Sequence, residues 1–345
     1  MSHTKTTEIL NALIMPILLL IMLALMVFSL TIGRYPIPAA EVIRIVLSTP
    51  PGSIHSSADS PWVIVEIVRL PRILLVVLCG MGLALAGAAM QGVFRNPLVG
   101  PEVVGVSAGA TFGGILAIMI GWSAWGIVSS AFVFGTAALV TAFLLAKLSG
   151  RASILGIVLS GVIISAFFGA LSGVMHYMAD PETKLPAMVY WLMGSFAEAT
   201  YEKVSVVSLI TLIAGGILIS LRWRLNLLSL GESDAASLGV NVEILRWGVV
   251  ALVSLIVAAQ VSVSGGVGWV GLVIPHFARM IVGADHTRLL PVSALIGGIY
   301  LLLVDDLSRS LMPQEIPIGL LTALIGTPIF AVVFWKMSGK GWSND

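Results

Sequence analysis

Apolar residues fill this chain in blocks of about 17–25 positions, separated by short polar turns. A bilayer-crossing helix needs roughly 20 such residues. The blocks predict ten spans, over 9–31, 71–93, 103–121, 125–147, 153–177, 204–222, 246–263, 268–284, 290–309 and 317–337. Ten spans put both termini on the same side. The first block has too long a core for a signal peptide and lacks a clear small-residue cleavage site, so it reads as a membrane anchor. The eighth is interrupted by the glycines of Ser264–Gly271 and by Pro275. That pattern predicts a short or discontinuous helix, tolerated only where protein or a cavity covers the backbone.

Two segments between spans can hold structure of their own. Residues 33–70 include a short amphipathic helix over 38–47, followed by a Ser/Pro/Gly loop. Residues 178–203 include LPAMVYWLMGSF (185–196), which is apolar but too short to span. It reads as an interfacial or pore-mouth helix with Pro186 in its first turn. Nothing else forms a soluble domain, so residues 1–345 read as one all-α membrane unit.

Composition agrees. The 345 residues are 58% hydrophobic and 10% charged, with mean hydropathy +1.06, whereas soluble domains carry about 25% charged residues. Charge then sets orientation. With the termini inside, cytoplasmic segments hold eleven of the eighteen Lys and Arg residues, which places both termini in the cytoplasm. The net charge of +1 says nothing about nucleic acid, but no Lys/Arg-rich block exists, so no nucleic-acid partner is expected. The single Cys79 permits neither a disulfide framework nor a cysteine metal cluster.

Four stretches are polar enough to carry chemistry. In LSLGESDAASLGVNVEILRW (228–247), Ser229 and Glu232 have capping-box spacing, Gly239 suits a helix end, and Asn241 can cap the next helix. The stretch encodes a short helix, a turn and a second helix. It is either a plain loop or a docking surface. Gln91–Ala110 is rich in proline and glycine around Arg95 and Asn96, and reads as a tight connection or a gate. His276 and His286 read as structural histidines, because no second ligand is spaced for a metal. Asp305, Asp306 and Arg309, like Arg69 and Arg72, sit at outer helix ends. There they pair with one another or receive an acidic partner.

Absences narrow the function. There is no phosphate-binding G-x-x-x-x-G-K-[ST] loop and no G-x-S-x-G elbow. An intramembrane enzyme would need a nucleophile–base pair or a zinc set. A secondary transporter driven by protons or sodium would need carboxylates inside the spans, and these are nearly missing. A transporter of this composition needs energy from a partner.

Taken together, RLPRILLVVLCGMGLALAGAAMQGVFRNPLVGPEVVGVSAGA (69–110), LGESDAASLGV (230–240), GVGWVGLVIPHFARMIVGADHTRLLP (266–291) and QEIPIGLLTALIGTPIF (314–330) resemble the FecCD-type permeases of type II ABC importers for iron–siderophore, haem and cobalamin. The resemblance implies a ten-helix inner-membrane permease without cofactor or catalysis. It would pair with a second permease subunit, as a homodimer of identical chains or a paired heterodimer. Two separate ATPase subunits would bind inside, and a substrate-binding protein would dock outside. It implies a coupling helix within the loop at about 226–246, formed by Gly231, Glu232, Ala235, Ala236, Leu238 and Gly239, with Glu232 meeting a basic group of the ATPase. It also implies binding-protein docking at Arg69, Arg72 and Arg309, and a cytoplasmic gate at Asn96, Leu98 and Ser153. Span five, the 185–196 helix and span ten would line the path, with Met175, Met178, Met188 and Met193 near the outer mouth. Segment 179–195 departs from the usual siderophore-type loop, which leaves a molybdate or tungstate importer open beside the metal chelates.

Overall fold

The computed structural model describes residues 2–33, 35–48, 60–148 and 154–341. Every element in these residues is helical. In chain order they are α1 (Ser2–Thr31), α2 (Ala39–Ser48), α3 (Ser60–Trp62), α4 (Leu70–Phe94), α5 (Val106–Ile120), α6 (Ala124–Leu148), α7 (Ile154–Met178), α8 (Lys184–Met193), α9 (Tyr201–Ser220), α10 (Arg222–Ser229), α11 (Glu232–Ser237), α12 (Val242–Ser264), α13 (Val270–Val282), α14 (His286–Ser310) and α15 (Ile318–Gly341).

Ten of these helices coincide with the ten predicted apolar runs. Seven are long and apolar enough to cross a membrane by themselves, whereas α5 (Val106–Ile120) and α13 (Val270–Val282) are shorter. The expected break before the eighth run is real. Ser264–Trp269 leaves α12, Trp269 takes the left-handed region at φ 70°, and α13 follows with Pro275 inside it.

The second run departs from expectation. Its helix begins at Ser60, where a loop was predicted, because a π-helical segment, Val63–Arg69, joins α3 to α4 without interruption. Pro71 explains the wider turn. It lacks an N–H, and its ring crowds the carbonyl one turn earlier, so the preceding turn opens to an i→i+5 pattern. The Leu70 N–H accordingly reaches the Val65 carbonyl.

α4 is the centre of the fold. Of its apolar window, including the π segment, 83% is buried, against 17% for α1. The helices around α4 approach it through glycine. A Cβ on Gly80 would overlap the Gly297 backbone of α14. One on Gly87 would overlap the Gly271 carbonyl of α13, and one on Gly82 the Gln260 amide of α12. In lipid, helices gain little hydrophobic energy by meeting, so close backbone approach supplies the attraction. α5 and α6 repeat the device, with Gly113 against the Ser130 carbonyl and the Ser130 hydroxyl donating to Gly113 O at 2.7 Å. An edge-to-face pair, Phe112 and Phe134, with ring centres 5.1 Å apart, and the neighbouring Phe168 tie α7 to this hairpin.

Gly87→Val should therefore force α4 and α13 apart. Overpacking typically costs about 1–3 kcal/mol, and here the obstacle is backbone. A thermal scan in detergent should show a clear fall in midpoint. Gly216→Ala, with open space around it, should leave the midpoint within a degree or two, as surface substitutions usually do.

Candidate functional site

One end of the bundle carries a compact polar module. α10 and α11 lie between α9 and α12, with Gly231 at φ 131° opening α11. The expected capping box is absent. The Ser229 hydroxyl donates to Asn226 O, and no side chain caps α11. Glu232 instead pairs with Arg246 of α12 at 2.5 Å. The basic group expected from a partner is thus supplied within the chain. The exit follows the prediction. Gly239, at φ 84°, sends its N–H to Ala236 O, and Val240 N–H reaches Ala235 O, the paired bonds of a Schellman end. The Asn241 side chain then caps α12 by accepting from Ile244 N–H at 3.1 Å. Ala235 is buried, while Ala236, Leu238 and Gly239 are exposed and form the outer face of the module.

Sequence reasoning missed the residue that fastens this module. Asn226 of α10 accepts from the His286 N–H at 2.8 Å and donates to Asp285 Oδ1 at 2.6 Å. Asp285 is the N-cap of α14, accepting from Thr287 N–H and its hydroxyl. Burial pushes the Asp285 carboxyl up, but these donors, with Asn226 and nearby Arg288, hold it below its ordinary value. His286 Nδ1 lies 2.8 Å from the same Asn226 oxygen, which only accepts, so the ring proton sits on Nδ1. Gln91 makes a parallel tie. It accepts from Arg279 at 2.9 Å and donates to Leu272 O, joining the end of α4 to α13. The legible signal was the Asp285–His286 pair at a helix start. Nothing local marked Asn226 as its partner.

Next to the module lies the predicted gate. Arg95 ends α4 in the left-handed region at φ 50°. Asn96 Oδ1 accepts from Leu98 N–H at 2.9 Å, an Asx turn. Both Asn96 and Leu98 are exposed. The 3-10 turn Pro101–Val104 then presses on α7, where a Cβ at Gly161 would overlap the Val103 carbonyl. Ser153 lies outside the described residues.

At the opposite end, the three arginines expected on the docking surface are buried, with relative exposures of 5%, 6% and 5% for Arg69, Arg72 and Arg309. Arg72 holds Asp305 at 2.9 Å and Glu315 at 2.9 Å. Arg309 pairs with Asp306 and Asp305 and donates to Ser29 O. Arg69 donates to the carbonyls of Leu30 and Tyr35. The pairing alternative describes this cluster, because the acidic partners come from α14 and the turn after it. Arg72 and Arg309 are thus matched by carboxylates and Arg69 by backbone carbonyls, all within the chain.

The same end holds a joint made of glycine. α8 ends at Gly194, which lies against the carbonyls of Ser264 and Gly266, and the Ile318 N–H that starts α15 donates to Gly194 O at 3.0 Å. Gly319 crowds the Met193 carbonyl. The end of α8, the α12–α13 break and the start of α15 are thus in direct contact. Of the methionines, Met188 is fully buried against α5, while Met178 is exposed. Asp180, in the turn before α8, accepts from the hydroxyl and N–H of Thr183 and from Glu182 N–H. These bonds hold its carboxyl below the ordinary range.

Seven long apolar helices, a polar module at one end and a broken helix at the other define a multi-pass membrane protein. The family model described as the FecCD transport family matches residues 19–336, and the chain belongs to that family. It is 46% identical over 328 residues to the molybdate import system permease protein MolB of Haemophilus influenzae, covering 95% of this chain and 96% of that one. The hemin transport system permease protein HmuU of Yersinia pestis is 40% identical over 285 residues, covering 80% and 84%. Among solved structures, an inward-facing conformation of a metal-chelate type ABC transporter superposes with TM-score 0.84 at 45% identity, over 94% of this chain and 99% of that one. The chain is the inner-membrane permease of an ABC importer.

Two outcomes test the geometry. Arg72→Met leaves Asp305 buried without its main partner, and breaking a buried pair costs about 3–5 kcal/mol. Thermal unfolding in detergent should fall accordingly, with or without a docking protein present. Asn226→Ala removes the acceptor of the His286 N–H. Hydrogen exchange over residues 283–290 should accelerate by about tenfold, the equivalent of one hydrogen bond. Unchanged exchange would show that Asn226 does not fasten the module.

Proposed function

We propose that the chain forms a homodimeric permease of ten-helix subunits with cytoplasmic termini, driven by two ATPase subunits and fed by an external binding protein. α11 acts as the coupling helix. Its support is geometric. The exposed Ala236–Gly239 face is small enough for close docking, while Ala235 and the Glu232–Arg246 pair anchor it to the bundle. Asn226 then carries a push on α11 into the start of α14. Asn96 and Leu98, exposed at the same end, act as the gate. The apolar side chains Leu155, Leu159, Ile163 and Phe167 of α7 lie uncovered, which suits a second permease copy and the path between the two.

For the cargo, the observation that carries most weight is 46% identity to a molybdate permease along 95% of the chain. We infer a molybdate-class oxyanion rather than the metal chelate that the family resemblance first implies. The kinship with a hemin permease keeps a chelate as the second reading. The buried outer arginines do not serve as docking residues in this proposal. They hold the outer ends of α1, α4 and α14 in register beneath the binding protein.

Ala236→Trp tests the coupling role, because it adds bulk to the exposed face and leaves the internal Glu232–Arg246 pair alone. In vesicles containing permease, ATPase and binding protein, uptake should fall more than tenfold while the dimer persists on size exclusion. Undiminished uptake would remove α11 from the coupling role. The same vesicles, offered radiolabelled molybdate or a ferric chelate, decide the cargo by which label enters with ATP.

A further inference from the structure

Beside the α10–α11 module, a slot of about 580 Å³ runs between α9 and α12. Its walls are apolar, from Ile217 on α9 to Leu252 on α12, and Gly248 forms its floor. A Cβ at Gly248 would meet nothing within 4 Å, so the space continues above the glycine. One end is different. Arg224 lines the mouth together with Gly239 and Asn241, the turn that leads from α11 into α12. Arg224 is exposed, as is Arg222, and among the described residues no carboxylate pairs with either. Trp223 stands between them, 64% exposed.

The occupant must therefore be apolar along most of its length and anionic at one end. A soluble anion would leave the apolar walls unfilled. A purely apolar molecule would leave the arginines unmatched. The slot is walled by two helices that are long and apolar enough to cross the membrane. Basic residues flanking an aromatic ring are the usual furniture of the headgroup layer. We propose that this slot binds an anionic phospholipid, with its phosphate on Arg224 and one acyl chain between α9 and α12. Its headgroup then rests on the Gly239–Asn241 turn and braces the module that meets the ATPase. The choice of the cytoplasmic leaflet rests on the orientation proposed above. The pairing of chain and charge does not.

Native mass spectrometry of the detergent-solubilised permease–ATPase complex tests this, using phosphatidylglycerol and phosphatidylcholine with identical acyl chains. The wild type should retain phosphatidylglycerol in preference. Arg224→Ala should cut that preference about fivefold, the effect of one basic residue near a membrane surface. Gly248→Leu, which fills the slot, should lower retention of both lipids together. Equal retention of the two lipids by the wild type overturns the proposal. So does a preference that survives Arg224→Ala, or a wild type that carries no lipid because a protein partner covers the slot. The same spectrum reports the assembly mass. A missing ATPase with lipid preference intact would count against the importer arrangement and not against the lipid site.

Discussion

The closeness of backbone to backbone along α4 is the constraint on which everything else rests. Gly80, Gly82 and Gly87 face three different helices, and each accepts the neighbour's backbone or amide where any side chain would collide. Lipid tails are as apolar as leucine, so a larger residue would gain no burial to offset the lost contact. These approaches set how α12, α13 and α14 are spaced. The spacing in turn decides where the module, the gate and the outer cluster stand. The functional parts are attached to the far ends of helices whose middles are locked.

α14 makes the connection between those ends. Its first residue is held by Asn226 and its N-cap by the same side chain. Its last turns carry Asp305, Asp306 and Arg309 into the outer cluster with Arg72. The middle packs on α4 through Gly297. Buried ion pairs add little net stability, because desolvation offsets their attraction, but they penalise any other arrangement heavily. The outer cluster therefore fixes the register of α1, α4 and α14 against one another. In the proposed coupling role, a displacement at the module end would pass along α14 as along a rod.

How much of this could be read in the chain depended on range. Each predicted apolar block falls on a helix, seven of them long and apolar enough to cross a membrane, because apolar runs are a local property of composition, although the starts of the first two lie well before the predicted positions. The glycines of Ser264–Gly271 announced the break before α13, and Gly239 and Asn241 announced the end of α11 and the start of α12, because turns and caps act within five residues. Pairings across the fold were not legible. Ser229 and Glu232 had the spacing of a capping box, yet Arg246, fourteen positions on, won the carboxylate. The pairing of Arg309 with Asp305 and Asp306, four and three positions away, was legible as one of two readings, whereas the partners of Arg72, over two hundred positions away, and the Leu30 and Tyr35 carbonyls that hold Arg69 were not. The family resemblance named the parts. The contacts that hold those parts, Asn226 above all, belong to this chain's tertiary structure.

The π-helical segment before Pro71 has a consequence for how this helix can change over evolution. It holds a residue more per turn than its surroundings, so the helix beyond it is out of phase with α4. Each α-helical residue turns the chain by about 100° and advances it about 1.5 Å. Deleting one residue between Val63 and Arg69 would hardly shorten the helix. It would rotate everything before the deletion by more than a quarter turn, and a deletion after Glu66 would swing that buried side chain off the Tyr201 hydroxyl that it meets. The length of this segment behaves as an angular setting, and single-residue insertions or deletions there would re-aim the outer end of the helix while leaving its span of the membrane intact.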